Sequence, residues 1–368
     1  MGRRDKNNKS IALMLQGFDK VVSVLTNAIE TINLTKVFEK KAKISSRGFS
    51  RFFRRVKPKK ERIMAVDHIN VGIKEGELFG VLGPNGAGKT TAIRLLCTLL
   101  VPDEGTANVN GFDITKEAEK VRASVGVVTG GERGLYWRLT GRENLLFFAG
   151  LYNVPDGVAR KRAQELIELV ELQDRADDPV EKYSRGMKQR LHIVRGLIHD
   201  PPILLLDEPT LGLDPASARV IREFIKEKLQ KEQGKTILLT THYMEEADQL
   251  CDRMAIIDYG KIIALGTSKE LKERISEVEI LNINASNVKE DVKIRLKSLN
   301  GVKDATLRIL DSTTGEAGII IHTDNAESVM PSVIQELVKA GVEIRVVEEK
   351  KPTLEDVFIS LTGRKLRD

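Results

Sequence analysis

The sequence predicts an α/β protein: a parallel sheet covered by helices on both faces, followed by a smaller α+β domain. Three observations carry this reading. The runs at 203–207 and 236–240 are short and apolar until their C-terminal ends, as strands buried on both faces must be. Helical patterns at 142–153, 157–173, 184–198, 215–232 and 243–250 alternate with such runs, the order that builds a parallel sheet. Near residue 270 the pattern changes to strand 277–284, helix 287–299, strands 302–310 and 317–323, helix 327–340, strand 342–348 and a closing helix 353–362. That is a βαββαβ order, with helices on one face of a small sheet.

Length and composition agree. The 368 residues suffice for about two domains of roughly 100–200 residues each. With 41% apolar and 30% charged residues the chain is globular rather than disordered. No apolar run approaches the roughly 18–20 residues that span a bilayer. Cys97 and Cys251 lie far apart with no metal-ligand spacing, and Cys97 sits in an apolar run, so a buried free thiol in a reducing compartment is expected.

The net charge of +6 is concentrated: residues 39–64 hold eleven Lys and Arg against Glu39 and Glu61, so the rest of the chain sums to −3. Phe49, Phe52 and Phe53 interleave there with Arg51, Arg54 and Arg55. A solvated insertion between two strands, attachment to an anionic membrane surface and nucleic-acid binding all fit such a segment. The last is the least favoured, since no binding module accompanies the charge. Upstream, residues 1–10 are polar, and Ile11, Met14, Leu15, Phe18, Val22, Leu25 and Ile29 recur at helical spacing. An amphipathic helix is expected within residues 1–28, ahead of strands at 29–38 and 63–73. The stretch lacks the apolar core of a secretory signal, and Lys6 breaks the myristoylation pattern.

The strongest motif is Gly83-Pro84-Asn85-Gly86-Ala87-Gly88-Lys89-Thr90, between the apolar run 78–82 and a helical pattern at 91–100. Glycines at those spacings let successive N–H groups converge on phosphate oxygens, and the helix behind adds its positive dipole. Lys89 would reach the β- and γ-phosphates and the Thr90 hydroxyl would ligate Mg²⁺, so a nucleoside triphosphate is the expected ligand. Asp207 and Glu208 close the apolar run at 203–206. Asp207 is placed to hold the metal through its water shell, and Glu208 to act as general base on the attacking water.

Around these stand Ser184-Arg185-Gly186-Met187, Pro209 to Pro215 with Asp214, and His242 after a strand ending at Thr241. This order over about residues 29–268 resembles the ATP-binding-cassette (ABC) ATPases. The resemblance implies a P-loop NTPase core with an antiparallel β subdomain and a helical signature subdomain. It further implies that two cassettes meet head to tail and enclose two ATP molecules with Mg²⁺. Gly83 through Thr91 of one subunit would hold the triphosphate, and Ser184 and Gly186 of the other would cap the γ-phosphate. Asp214 would lie at the interface, His242 would contact the γ-phosphate, and Phe38 would stack on adenine.

The chain departs from the family pattern at Gly130, where a glutamine is usual, and at Arg185 and Met187, where Gly and Gln are usual. The segment 352–363 resembles the C-terminal extension of an exporter branch whose membrane subunit is separately encoded. The expected function is therefore an ATP-hydrolysing subunit that dimerises on ATP and drives an integral-membrane permease for export, from the inner face of the membrane. The expected domains are 1–28, 29–268 with its basic insertion 39–64, and a ferredoxin-like 269–368. Two alternatives stay open: a soluble cassette ATPase acting on nucleic acid or ribosomes, and a membrane-associated ATP-dependent regulator.

Overall fold

The computed structural model describes residues 27–41, 60–129, 134–274, 279–289, 291–311, 316–323, 325–350 and 352–363. They fall into two compact units, Met1–Ala264 with Asp368, and Leu265–Arg367.

The first unit opens with a long antiparallel hairpin, β1 (Asn27–Lys41) and β2 (Lys60–Lys74), paired from Asn27↔Lys74 out to Lys41↔Lys60. Then come β3 (Leu78–Leu82), α1 (Lys89–Leu96), β4 (Glu104–Val109) and β5 (Phe112–Asp113). β4 pairs antiparallel with β1, giving a four-stranded sheet in the order β2-β1-β4-β5. After α2 (Ala118–Ser124) and β6 (Val125–Val128), three helices follow without an intervening strand: α3 (Gly141–Leu151), α4 (Asp156–Leu169) and α5 (Arg185–Arg195). The chain returns through β7 (Ile203–Asp207), α6 (Pro215–Glu223), a π-helical turn at 224–232, β8 (Thr236–Thr241), α7 (Met244–Leu250), β9 (Arg253–Asp258) and β10 (Lys261–Gly266).

The second sheet of this unit has the order β10-β9-β3-β8-β7-β6. β3 runs parallel to both β8 and β9, and β7 runs parallel to β6 and β8. Every residue of β3, β7 and β8 is buried, as the apolar runs require. Because these three strands are adjacent and parallel, the segments leaving their C-terminal ends lie side by side. Leu82 pairs with Thr241 and Asp207 with Thr240. This is the edge at which open α/β sheets bind ligands.

The second unit holds α8 (Ser268–Glu273), β11 (Glu279–Ser286), α9 (Asp291–Lys297), β12 (Val302–Asp311), β13 (Glu316–Thr323), α10 (Ala326–Lys339), β14 (Glu343–Lys350) and α11 (Leu354–Thr362). Its sheet is antiparallel throughout in the order β12-β13-β11-β14, which is the ferredoxin-like arrangement. Leu281, Ile283, Ile319 and Ile321 meet Val333 and Leu337 in its core.

Several expected boundaries move. The helical pattern ending at Ile29 overruns into a strand: Ala28 and Ile29 are buried in β1, where Ile29 stands opposite Ile73 and Val109. The other positions of that pattern lie outside the described residues. The basic segment is not wholly an insertion, because residues 39–41 and 60–64 continue the hairpin, with Glu39 opposite Arg62. Opposite charges facing across a ladder favour pairing. Phe49, Phe52, Phe53 and the arginines between them lie outside the described residues. α1 stops at Leu96 rather than at residue 100, because Thr98 adopts a left-handed backbone, φ 61°. The pattern at 215–232 divides into α6 and the π-helical turn, and that at 287–299 shortens to α9.

Two histidines make this fold sensitive to acid. His192 on α5 and His199 behind it are driven by burial to about 3 and about 4, from an ordinary 6.5. Below pH 6.5 the unfolded chain binds protons that the folded chain refuses. Their contribution is therefore intact above pH 6.5 and is lost as pH falls toward their folded values. We expect unfolding stability to drop by a few kcal/mol between about pH 6.5 and 4.5. Urea melts across that range should show the slope, and His192→Leu should flatten it.

Candidate functional site

The phosphate loop is held to the sheet by its own backbone. Gly83 N–H donates to Thr241 O at 3.3 Å, Ala87 N–H to Pro84 O at 3.2 Å, and Gly260 N–H to Ala87 O at 2.9 Å. Gly86 and Gly88 have φ of 84° and 110°, conformations an L side chain resists. A Cβ on Gly88 would lie 2.1 Å from Ala65 O on β2, and one on Gly83 would lie 2.3 Å from Ile257 O on β9. Glycine at these two places is a packing requirement as well as a phosphate-loop letter.

Lys89 begins α1 and is only 5% exposed. Its Nζ donates to Gly83 O at 2.6 Å and Pro84 O at 3.2 Å, and lies 3.3 Å from Glu208 Oε1. The same Glu208 oxygen is 3.1 Å from His242 Nδ1. A carboxylate only accepts, so Nδ1 carries the proton in this contact. Asp207, also buried, accepts from the Thr240 hydroxyl at 2.5 Å. Thr240 further accepts from Glu208 N–H through its carbonyl, 3.0 Å, and its hydroxyl, 3.2 Å. Glu208 itself has φ 50°, a left-handed backbone that a non-glycine residue adopts only when its surroundings enforce it. Lys89, Asp207, Glu208 and His242 thus converge from three strand ends. Thr90 and Thr91, in the first turn of α1, are half-buried, and Asn85 is exposed.

The signature residues form a second cluster. Ser184 caps α5, its Oγ accepting from Met187 N–H at 3.2 Å, which leaves its own O–H free to donate outward. A Cβ on Gly186 would sit 3.1 Å from Ser217 Oγ. Arg185 donates to Gly212 O at 3.0 Å. Asp214 caps α6, accepting from the Ser217 amide at 3.0 Å and hydroxyl at 2.6 Å. These bonds, the Ser217 hydroxyl foremost, hold its carboxyl below the usual range. Phe38, opposite Ile63 on the hairpin, is 39% exposed, with Lys36 Nζ 5.9 Å from its ring centre.

Comparison with known proteins follows the same division. Residues 66–211 match the ABC transporter family, and residues 266–362 match the C-terminal domain of DrrA1-3-like ATP-binding proteins. The linearmycin resistance ATP-binding protein LnrL of Bacillus subtilis is 40% identical over 82% of this chain and 95% of its own length. The chain belongs to the ABC transporter family. It is an ATP-binding subunit and an ATPase. The Nod factor export ATP-binding protein I of Sinorhizobium fredii is 37% identical over 83% of each chain. A solved dimeric ATP-binding cassette, in a post-hydrolysis state with ADP and Pi, superposes with a TM-score of 0.54 at 28% identity, covering 65% of this chain and 98% of that one.

The residues fit an ATP–Mg²⁺ ligand. The loop is a cradle that a Cβ would obstruct, and Thr90 and Asp207 supply hard oxygen donors of the kind Mg²⁺ prefers. Among the described residues no cluster of three or more His, Cys, Asp or Glu could bind a metal alone. Gly130, where the family glutamine is usual, lies outside the described residues.

Sequence reasoning missed Thr240, Ala65 and Ile257. The first carried a signal, a hydroxyl directly after the buried apolar run Ile237–Leu239. The other two act through backbone carbonyls and carried none. A direct check of the cradle contrasts two glycines. Gly88→Ala, forced against Ala65 O, should abolish tight ATP binding and lower the melting temperature. Gly86→Ala meets nothing within 4 Å and should cost only its left-handed strain, about 1 kcal/mol. Nucleotide titration and thermal melts on both variants test the assignment.

Proposed function

We propose that this chain is the motor subunit of an exporter, closing on a second ATP-binding subunit around ATP and driving a separate integral-membrane permease. The observation that carries the proposal is the contact of Lys89, Glu208 and His242 at the phosphate loop, with the signature serine in a separate cluster. A site that binds the triphosphate at one place and presents a γ-phosphate cap at another is half of a shared site.

In this reading Gly83 through Thr91 bind the triphosphate, and Lys89 exchanges its loop carbonyls for phosphate oxygens. Thr90 and Asp207 would hold Mg²⁺, which would screen phosphate charge. Glu208 Oε1 takes a proton from water as the water oxygen attacks the γ-phosphorus and ADP departs. His242 fixes the Glu208 carboxylate through Nδ1 and turns Nε2 toward the γ-phosphate. Ser184 and Gly186 of the second subunit, with Arg185 and Met187 beside them, cap that phosphate. Asp214 stands at the interface, and Phe38 stacks on adenine.

Relatives named for linearmycin resistance and Nod factor export support the export direction. A permease also has a place to dock. A groove of about 580 Å³ between α1, α2, α3 and α5 is lined by Leu99, Phe148, Leu151, Tyr152 and Arg195 and reaches Thr129. Leu99 and Leu151 are more than 60% exposed, an apolar display that suits a protein partner. Among the described residues no helix is long and apolar enough to cross a membrane. The proposed working position is the inner membrane face, with attachment through the permease. We assign 29–268 to the ATPase, 269–368 to an accessory docking domain, and 1–28 to an extension.

Two variants test the mechanism. Lys89→Ala should abolish tight ATP binding; unchanged affinity would remove the loop from the site. Glu208→Gln should bind ATP normally but turn over on the order of a hundredfold or more slowly. It should accumulate as an ATP-stabilised dimer in light scattering, and wild-type turnover would exclude Glu208 as the base.

A further inference from the structure

Glu246 stands on α7, four residues beyond His242, and none of the roles above employs it. It is 2% exposed, yet charged side chains are rarely buried without cause. Oε1 accepts a 2.7 Å hydrogen bond from the Thr210 hydroxyl, on a residue that is itself 4% exposed. Oε2 is buried and has no hydrogen-bond partner. Such an arrangement costs stability, and an apolar side chain could fill the space at less cost. Burial pushes the Glu246 carboxyl above its ordinary range, while the Thr241 and Thr210 hydroxyls and the charges of Arg222 and His242 pull it back.

The partners show what the contact holds. Thr210 belongs to the loop that leaves Glu208: Leu211 N–H donates to Glu208 O at 3.1 Å, and Leu213 N–H to Thr210 O at 3.2 Å. Pinning Thr210 therefore pins the chain on the C-terminal side of the strained Glu208. Glu246 sits at the other end of the contact, on the helix that starts directly after His242 and Tyr243. Tyr243 N–H donates to the Thr241 hydroxyl at 3.0 Å, which draws the start of that helix onto β8. The same loop is held further along by Arg185, through Gly212 O.

We propose that Glu246 is a positioning residue for ATP hydrolysis. By gripping Thr210 it sets the distance between the Glu208 carboxylate and the His242 imidazole, and it steadies the loop that ends at Asp214. The proposal rests on the reading of Glu208 and His242 as the pair that orders and deprotonates water. A purely structural Glu246 would affect folding and leave turnover per bound ATP alone.

The test uses the full-length chain, with steady-state ATPase rates against ATP concentration, equilibrium ATP titration and thermal melts. Glu246→Ala and Thr210→Val should each lower kcat by on the order of tenfold or more, the scale of a misplaced catalytic group, with ATP affinity unchanged. Glu246→Gln keeps an acceptor and Thr210→Ser keeps the hydroxyl, so both should retain most of the turnover. The double variant Glu246→Ala with Thr210→Val should be no slower than the slower single one, because both remove one contact. If Glu246→Ala fails to fold, the nearly isosteric Thr210→Val carries the test alone. Wild-type kcat in Thr210→Val, or a kcat loss matched by an equal loss of ATP affinity, would overturn the proposal. Glu208→Gln serves as the control. If it keeps wild-type turnover the underlying mechanism fails; if it is inactive while Glu246→Ala and Thr210→Val are not, only the role of Glu246 fails.

Discussion

The buried ammonium of Lys89 is the constraint around which the site is arranged. A lysine 5% exposed must find compensation nearby, because an unpaired buried charge is costly. It takes two carbonyls from its own loop and one carboxylate from the end of β7. For that carboxylate to be within reach, β7 must lie close to β3, with β8 between them, and all three must run parallel. Packing the sheet and neutralising Lys89 are therefore one problem with one solution. The same strand order delivers Thr240 to Asp207 and His242 to Glu208.

Compensation of this kind suits a site that must change partners. The carbonyls and the carboxylate that satisfy Lys89 are weaker competitors than a triphosphate, whose charge is larger and whose oxygens can meet the loop N–H groups together. Binding can then shift Lys89 without unfolding anything, since the loop glycines and their contacts with Ala65 O and Ile257 O keep the cradle in shape. Glycine packing supplies the scaffold and Lys89 the ligand contact.

The loop from Glu208 to Asp214 joins the two clusters. It starts at the strained residue beside Lys89, is gripped at Thr210 by Glu246 and at Gly212 by Arg185, and ends as the cap of α6. Arg185 replaces the glycine usual at that place in the signature, and here its long side chain supplies a tie that a glycine could not. The loop is short and bonded at several points, and these bonds link the backbone at Glu208 to the signature helix.

Much of this was legible in the residues themselves. The phosphate loop and Asp207-Glu208 are read directly, because each demands particular atoms at particular spacings, whereas Ser184-x-Gly186 and His242 are picked out by the resemblance to the ABC ATPases. The buried strands are read from continuous apolar runs, and the βαββαβ order of the second unit from alternating periods. Other features could not be read. Charged residues at 39–41 and 60–64 hid a strand extension, since pairing across a hairpin depends on a partner far along the chain. The end of α1 and the split of the 215–232 helix depend on backbone angles that several residue types tolerate. Glu246 reads as an ordinary acid in a helix; only the fold buries it and aims it at Thr210. The sequence by itself determined which chemical groups exist and in what order, since those follow from local spacing. The tertiary structure alone decided which of them meet, because contact between Lys89, Glu208, His242 and Glu246 is set by strand order and burial, and these are properties of the packed chain.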